Sequence, residues 1–178
     1  MKLKLSYALL LSTCFVFAGI SNLNAQNKAP RESPKKTATG KINGATVTIS
    51  YGSPSVKGRK IWGDLVPYDK VWRSGANEAT QLETDKALTI HGKKLPAGKY
   101  SLYTIPGEKE WQVIINSQTG QWGIEGSGET TRKPANDVLV ATVKPKKSTK
   151  MNESLVYEVN KNGVVLKWEN LEVPISIK

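Results

Sequence analysis

Apolar and polar residues alternate along much of the chain after residue 41, and this alternation is the pattern of half-buried β-strands. In the first such run, Val47, Ile49 and Tyr51 share one face, while threonine and serine occupy the other. Near the C-terminus, two apolar runs flank Asn162-Gly163, a dipeptide that favours a tight β-hairpin turn. The pattern contains no long helical period. It therefore predicts an all-β fold, a single antiparallel β-sandwich or jelly-roll-like domain.

Two long segments rich in glycine and proline interrupt the alternation, at residues 52–70 and 117–136. Neither segment has a sustained apolar period, so both are predicted to be ordered loops that join strands. Long loops within a compact domain are commonly functional. The sequence therefore predicts a shallow cleft between the two loop regions as the candidate site.

The first 25 residues have the composition of a secretory signal peptide. Lys2 and Lys4 precede an apolar run over residues 5–20, and Ala25 lies before a polar stretch. The apolar run is too short, and too soon followed by polar residues, to favour a membrane-spanning helix. We therefore predict export to the periplasm or the extracellular space, with no transmembrane segment in the mature chain.

Cys14, the sole cysteine of the sequence, lies within this segment and leaves a second interpretation open. The stretch from Leu11 to Cys14 faintly resembles a lipoprotein cleavage site, so a lipid anchor at Cys14 is the minor alternative. Cleavage after Ala25 instead yields a mature protein without a thiol. Such a protein can form neither a disulfide nor a cysteine zinc site.

Composition divides the remaining chain into a tether and one domain. Residues 26–40 hold two prolines and four cationic residues but no aromatic residue, which predicts a flexible linker. Residues 41–178 are then the β-sandwich domain, and they are numerous enough to bury a hydrophobic core without a disulfide.

The chain carries a formal charge of +11, from 26 basic and 15 acidic residues. A basic excess is typical of proteins that bind nucleic acid, anionic lipid or polyanionic glycan, and also of a simply solubilising surface. Because export is predicted, nucleic acid is not an expected partner. A glycan, a peptide or another envelope protein remains as the expected partner.

His91 is the one histidine of the sequence, so a multi-histidine zinc centre is excluded and a Ser-His-Asp triad would require this residue. It precedes Gly92 in a lysine-rich segment, which predicts an exposed turn. The chain has no nucleophile elbow, no phosphate-binding loop and no dinucleotide-binding motif. The sequence therefore assigns no catalytic residue, no metal and no cofactor.

Residues 70–80, with the sequence KVWRSGANEAT, are the candidate ligand-binding stretch. Here Trp72, Arg73, Asn77 and Glu78 surround three small residues. The guanidinium presents a planar fork of donors, while the carboxamide and the carboxylate offer acceptors. These groups fit either a polar ligand or an internal Arg–Glu ion pair that holds the loop. Because Arg73 and Glu78 are five residues apart, they can meet only if the chain bends at the small residues between them.

Two further tryptophans, Trp62 and Trp122, complete the candidate set because they lie in the glycine-rich loops. A large apolar side chain in a loop either covers the core beneath it or serves as a contact surface. An aromatic ring beside the polar groups would stack against a sugar ring or a peptide side chain. Trp111 and Trp168 lie in strand patterns and are predicted to belong to the core.

Three parts of the chain together resemble one bacterial family. They are GSPSVKGRKIWGDLVPYDKVWRSGANEAT, then GKKLPAGKYSLYTIPGEKEWQVIIN with QWG, and the closing LKWENLEVPISI. The sequence is similar to domain-of-unknown-function family 2911, a family of small exported proteins. The resemblance covers nearly the whole mature domain and implies export and a β fold. It implies no catalytic residue and no ligand.

The sequence thus predicts an exported binding or envelope-associated module with a polar pocket around residues 72–78, rather than an enzyme. Two alternatives stay open. A hydrolase acting on envelope glycans or peptides would use Glu78 or Asp64 as its acid or base. A structural interaction module would instead dock an exposed edge strand onto another chain.

Overall fold

A six-stranded antiparallel sheet is the framework of residues 30–178, the part of the chain that the computed structural model describes. The predicted signal peptide and Cys14 lie outside the described residues. In spatial order the sheet consists of β1 (Lys35–Ile42), β2 (Ala45–Gly52), β3 (Gln81–Thr84), β6 (Gly98–Ile105), β7 (Trp111–Asn116) and β8 (Asp137–Val143).

The remaining strands form two separate antiparallel pairs. The short pair consists of β4 (Leu88–Ile90) and β5 (Lys93–Leu95), and the long pair consists of β9 (Lys146–Asn160) and β10 (Gly163–Ser176). A 3-10 turn, Pro134–Asn136, precedes β8. The fold class is therefore all-β with antiparallel sheets, as the sequence predicts.

The main hydrophobic core lies between one face of the six-stranded sheet and the β9–β10 hairpin. The alternation in β2 buries Val47 and Ile49 on this side, and the hairpin contributes Leu155, Leu166 and Trp168. Burying apolar surface of this kind stabilises the fold by about 25 cal/mol per Å² removed from water. The period-two pattern of the sequence is thus the direct cause of the layered arrangement.

The β9–β10 hairpin bends sharply so that the two ends of β10 meet. Its pairing register shifts on either side of Glu169, a residue with a φ of 52°. Beyond the bend, the chain returns to the hairpin turn, where Ile177 N donates to Asn162 O at 3.1 Å. Gly163 lies so close to the returning strand that a Cβ there would lie 2.1 Å from Ile175 O. The predicted hairpin joins β9 and β10, but its turn residues are Lys161 and Asn162, and Gly163 is the first residue of β10.

The opposite face of the sheet carries a smaller apolar cluster. Tyr103 and Ile114 face each other across β6 and β7, and Ala79 packs onto them. Because successive residues of a strand point to opposite faces, Leu102 belongs to the main core while Tyr103 belongs to this cluster. Ala79 comes from the long connection between β2 and β3, so that connection folds over this face of the sheet.

Strand β1 corrects the predicted extent of the linker. Residues 35–40 fall within the segment predicted as a flexible tether, yet they pair with β2 from Lys35↔Gly52 onward. Residues 30–34 also contact the domain, since Ser53 N donates to Pro34 O at 2.9 Å. The composition was misleading because β1 is an edge strand with mostly exposed side chains. The domain therefore begins before residue 41.

Candidate functional site

A short loop leaves the sheet after Trp72 and returns to it at Thr80. Trp72 exchanges two backbone hydrogen bonds with Thr104 of β6, at 2.7 and 2.9 Å. Two residues along β6, Leu102 N donates to Thr80 O at 2.7 Å. Trp72 and Thr80 therefore occupy neighbouring places along β6, and the residues between them bulge outward. Thr80 N closes the loop by donating to Arg73 O at 3.3 Å.

The loop formed by residues 73–79 is held at Ser74, whose backbone is left-handed with a φ of 55°. Ser74 is fully buried, and its carbonyl oxygen accepts hydrogen bonds from Tyr157 Oη at 2.8 Å and from Thr80 Oγ1 at 2.9 Å. Its hydroxyl lies 3.0 Å from Thr104 Oγ1 and donates to it. Non-glycine residues in this conformation persist where surrounding contacts hold them, and they cluster at ligand-binding sites. The 73–79 loop is thus pre-formed by the core beneath it.

Two glycines allow neighbouring backbone segments to approach this loop. A Cβ on Gly52, at the end of β2, would lie 2.1 Å from Ala76 O. A Cβ on Gly123, in the second long loop, would lie 2.2 Å from Arg73 Cδ. Gly123 N also donates to Asn77 O at 2.9 Å. The two long loop regions therefore meet at the 73–79 loop, but no residue of the second loop, 117–136, borders the main cleft.

The bend predicted between Arg73 and Glu78 is present, but these two residues do not pair within the described part of the chain. Glu78 instead accepts hydrogen bonds from Arg31 Nη1 at 2.8 and 2.9 Å. Asn77 Nδ2 donates to Ser33 O at 3.0 Å. Asn77 and Glu78 therefore hold the segment that leads into β1. The internal Arg73–Glu78 ion pair, one of the two alternatives from the sequence, is not formed.

The Glu78 carboxylate is ionised more readily than an ordinary glutamate. Burial by itself raises the pKa of Glu78, but hydrogen bonds from Arg31 and from the Glu78 backbone N–H oppose burial. The positive charges of Arg31 and Lys35 act in the same direction, so the pKa lies below its usual value. A carboxyl group with a lowered pKa is a poor general acid at neutral pH.

Four tryptophans form one aromatic cluster beneath the 73–79 loop. Trp62 makes edge-on contacts with Trp72, Trp111 and Trp168, at centroid distances of 5.9, 4.9 and 5.7 Å. Trp72 stacks on Trp168 at 5.8 Å and donates from Nε1 to Gly75 O at 3.2 Å. Trp62, Trp111 and Trp168 are buried, whereas Trp72 is partly exposed. Of the four, Trp72 is therefore the ring that a ligand can reach.

Trp122 lies apart from this cluster. Its side chain is 51% exposed, and its backbone pairs with that of Glu78. The six predicted site residues are therefore not gathered in one pocket. Trp72 and Arg73 border the main cleft, Trp62 lies in the core, and the others lie along the loop edge.

Arg73 is a partly buried cation without a carboxylate partner among residues 30–178. None of the hydrogen bonds or ion pairs among these residues involves its guanidinium, and its Nε is buried without an acceptor. Desolvation by burial lowers the pKa of Arg73 below its usual value. An arginine remains protonated even so, and its positive charge is left uncompensated by this part of the protein.

A cleft with a volume of about 380 Å³ opens beside Trp72 and Arg73. Lys57 and Arg59 border it from the connection after β2, and Glu32 borders it from the segment before β1. The Arg59 guanidinium is oriented by two preceding backbone carbonyls, donating to Val56 O at 3.0 Å and to Ser55 O at 2.5 Å. Three cationic side chains and one carboxylate thus surround a partly exposed tryptophan.

Sequence reasoning missed Lys57, Arg59 and Glu32 as parts of the site. Lys57 and Arg59 lie in the glycine- and proline-rich segment, so the one available signal was their position in a long loop. Glu32 lies 3.4 Å from Lys57 Nζ, but both side chains are largely exposed and such pairs contribute little. The net charge of the side chains around the cleft therefore stays positive despite the Glu32 carboxylate.

The residues proposed for hydrolysis do not meet in the cleft. Glu78 borders a separate cavity of about 250 Å³ with Lys35 and Gln81, and Asp64 is exposed in a turn after Trp62. Among residues 30–178, no three histidine, cysteine, aspartate or glutamate side chains are grouped so that they could hold a metal ion. Within the same residues, no helix has the length and apolar character needed to cross a membrane.

Comparison with known proteins gives a family for the chain. No curated protein and no solved structure matches it significantly. One family model, described as "Protein of unknown function (DUF2911)", matches residues 33–177. The match begins just before β1 and ends one residue after β10, so it includes every strand of the described fold. The chain therefore belongs to the DUF2911 family.

Proposed function

We propose that this protein is an exported binding protein that holds an anionic ligand in the cleft beside Trp72 and Arg73. The observation that carries the proposal is the partly buried Arg73 guanidinium, which no acceptor among residues 30–178 satisfies. A desolvated cation is costly unless a counter-charge or hydrogen-bond acceptors compensate it. A carboxylate, phosphate or sulfate group of a ligand would supply both.

The surroundings of Arg73 support an anion rather than a neutral ligand. Lys57 and Arg59 border the same cleft, and Arg59 has no carboxylate partner within the described chain. Clefts lined by one sign of charge concentrate ligands of the opposite sign. An arginine fork can also bind a carboxylate or phosphate through two parallel hydrogen bonds.

The 73–79 loop is held rigid by the core, and this rigidity supports a role in ligand binding. Ser74 is fixed from below by Tyr157 and Thr80, so Arg73 is attached to a rigid point of the sheet. Rigid sites bind more tightly because less conformational entropy is lost on binding. Trp72 adds a partly exposed ring, which suits a ligand that carries an apolar or sugar ring next to its charge.

Ligand-induced stabilisation tests the proposal directly, because a ligand that binds the folded state raises its melting temperature. The probes are galacturonate, N-acetylglutamate and glucose 6-phosphate, with galactose as the neutral match. We expect at least one anion, and not galactose, to raise the melting temperature of the wild type. Arg73→Met should remove this response. Lys99→Ala is the control, because it removes one positive charge from a surface pair with Glu83. Equal responses in the wild type and in Arg73→Met would refute the proposal.

Export is the second part of the proposal, and it is supported by the basic, apolar and small-residue pattern of residues 1–25. N-terminal sequencing of the protein from its native host provides the test. We expect a mature chain that begins near Gln26 in the periplasmic or extracellular fraction. A lipid on Cys14 would establish the anchored alternative. Retention of Met1 in the cytoplasm would contradict export.

A further inference from the structure

A second, smaller cavity adjoins the cleft. Its volume is about 120 Å³, and Lys70 and Ile124 border it on the far side. Leu65, Trp72 and Arg73 border both cavities. The two cavities therefore lie side by side with these shared residues between them, and together they are called the groove. Leu65 is 44% exposed there, so its side chain adds apolar surface beside Trp72.

Positive charges are distributed along the whole groove rather than gathered at one point. Lys57 and Arg59 border the larger cavity, Arg73 lies at the junction, and Lys70 borders the smaller cavity. Among the described residues that border either cavity, Glu32 is the one acidic residue. A ligand with a single charge would use only part of this series. A chain with an anionic group on successive units would use all of it.

Several backbone groups along the groove are already paired, which disfavours an extended peptide as the occupant. Both backbone groups of Trp72 bond to Thr104, at 2.7 and 2.9 Å. Val66 N donates to Ile61 O at 2.9 Å, and Ala76 N donates to Gly52 O at 3.2 Å. Extended peptides gain affinity largely by main-chain pairing with an open edge, and these positions offer none. Side-chain charges and a tryptophan ring remain, which suit a sugar chain.

We propose that the groove binds a linear acidic oligosaccharide whose units span both cavities. This inference rests on the proposed function, and it adds the ligand class and a second subsite at Lys70. One anionic group lies at Arg73, and its sugar ring packs on Trp72 and Leu65. The next charged unit reaches Lys70 in one direction, and another reaches Lys57 and Arg59 in the other.

Chain-length dependence of affinity is the test. Calorimetry with the purified protein would compare galacturonate with its dimer, trimer and tetramer. In the wild type, affinity should rise by about tenfold or more from monomer to trimer, as an added subsite contact would give. Lys70→Ala should lose the part of this gain that the Lys70 subsite supplies, while its affinity for the monomer stays unchanged. Lys99→Ala, the charge-matched control, should behave as the wild type.

The outcomes separate this inference from the proposed function. Two results would overturn the second subsite and leave the proposed function standing. In the first, the monomer binds in an Arg73-dependent way but longer chains bind no more tightly. In the second, Lys70→Ala retains the full gain in affinity for longer chains. Tighter binding of tetraglutamate than of tetragalacturonate overturns the glycan assignment. Equal binding of the fully methyl-esterified tetramer, which has no charge, overturns the requirement for an acidic chain. If no anion binds in an Arg73-dependent way, the inference and the proposed function fail together.

Discussion

The hydroxyl of Tyr157 donates a 2.8 Å hydrogen bond to the carbonyl oxygen of Ser74, and so ties the long hairpin to the candidate binding loop. Tyr157 is fully buried, and desolvation together with the nearby Tyr51 raises the pKa of its hydroxyl well above the usual value. The hydroxyl therefore remains a donor throughout the physiological pH range. Ser74 is the first residue of the bend that separates Arg73 from Asn77 and Glu78. The core of the sandwich thus determines where Arg73 lies.

Tyr157→Phe tests this connection. The substitution keeps the ring and its edge-on contact with Tyr51, but it removes one of two donors to Ser74 O. We expect a loss of about 1 kcal/mol in the free energy of unfolding, measured in urea. We also expect faster hydrogen exchange in the 73–79 loop and weaker anion binding.

The matched control for Tyr157→Phe is Tyr100→Phe. Tyr100 Oη donates to Pro96 O at 3.1 Å, away from the loop. This variant should lose a similar amount of stability without any change in anion affinity. Unchanged exchange and unchanged affinity in Tyr157→Phe would show that the loop does not depend on this hydrogen bond.

Gly52→Ala should be one of the most damaging single-methyl substitutions in the described chain. The added Cβ would lie 2.1 Å from Ala76 O, which is backbone and cannot move aside as a flexible side chain would. We expect a loss of about 1–3 kcal/mol or more, because overpacking forces backbone shifts. Gly126→Ala is the control, since no atom lies within 4 Å of its added Cβ. Urea unfolding of the two variants measures the difference, and equal stabilities would contradict the close approach.

The Arg31–Glu78 pair should make the free energy of unfolding depend on pH in the acidic range. The folded-state pKa of Glu78 is lowered, so its contribution is complete above the unfolded-state pKa and is lost as the pH falls through the folded-state value. Because both side chains are partly exposed, the contribution should not exceed about 1 kcal/mol. Urea unfolding between neutral and strongly acidic pH should reveal it as a difference between the wild type and Glu78→Gln. The two stability profiles should converge below the folded-state pKa. A difference that grows as the pH falls would contradict the assignment.

His91→Ala should leave stability within about 0.5 kcal/mol of the wild type, as for an ordinary surface substitution. His91 is exposed, and its Nε2 accepts a 3.0 Å hydrogen bond from Ser176 N. Water can satisfy that N–H after the substitution because the site is open. Urea unfolding and the anion response together provide the check. A loss of several kcal/mol, or a lost anion response, would give this residue a role that its position does not suggest.

The fold was largely predictable because burial follows the period-two pattern closely. In β2, Val47 and Ile49 are buried while Thr46 and Thr48 lie on the more exposed face, as the alternation predicts. Strand β1 was missed because an edge strand with lysine and threonine side chains has little apolar signal. The success at β2 and the failure at β1 have the same cause. The alternation of apolar and polar residues reflects burial, and an exposed edge strand buries few of its side chains.

The site was only partly predictable because its contacts join residues far apart in sequence. The bend after Arg73 could be predicted because Gly75 and its small neighbours allow the chain to turn there. The partner of Glu78 did not follow, because Arg31 lies 47 residues upstream. The cationic residues Lys57 and Arg59 reach the cleft only through the path of a long irregular loop. Such a path depends on tertiary packing that no local pattern contains.

The central claim is that Arg73 is kept for a ligand and not for an internal partner. Arg73→Met retains much of the aliphatic stem that packs against Gly123, while it removes the charge. Because no carboxylate among residues 30–178 loses a partner, stability should stay within about 1 kcal/mol of the wild type.

Urea unfolding of the wild type and Arg73→Met, with and without galacturonate oligomers, tests this claim most directly. We predict stabilities within about 1 kcal/mol of each other without ligand, and stabilisation by ligand in the wild type alone. A loss of about 3–5 kcal/mol in Arg73→Met without ligand, as expected when a buried charge pair is broken, would contradict the account.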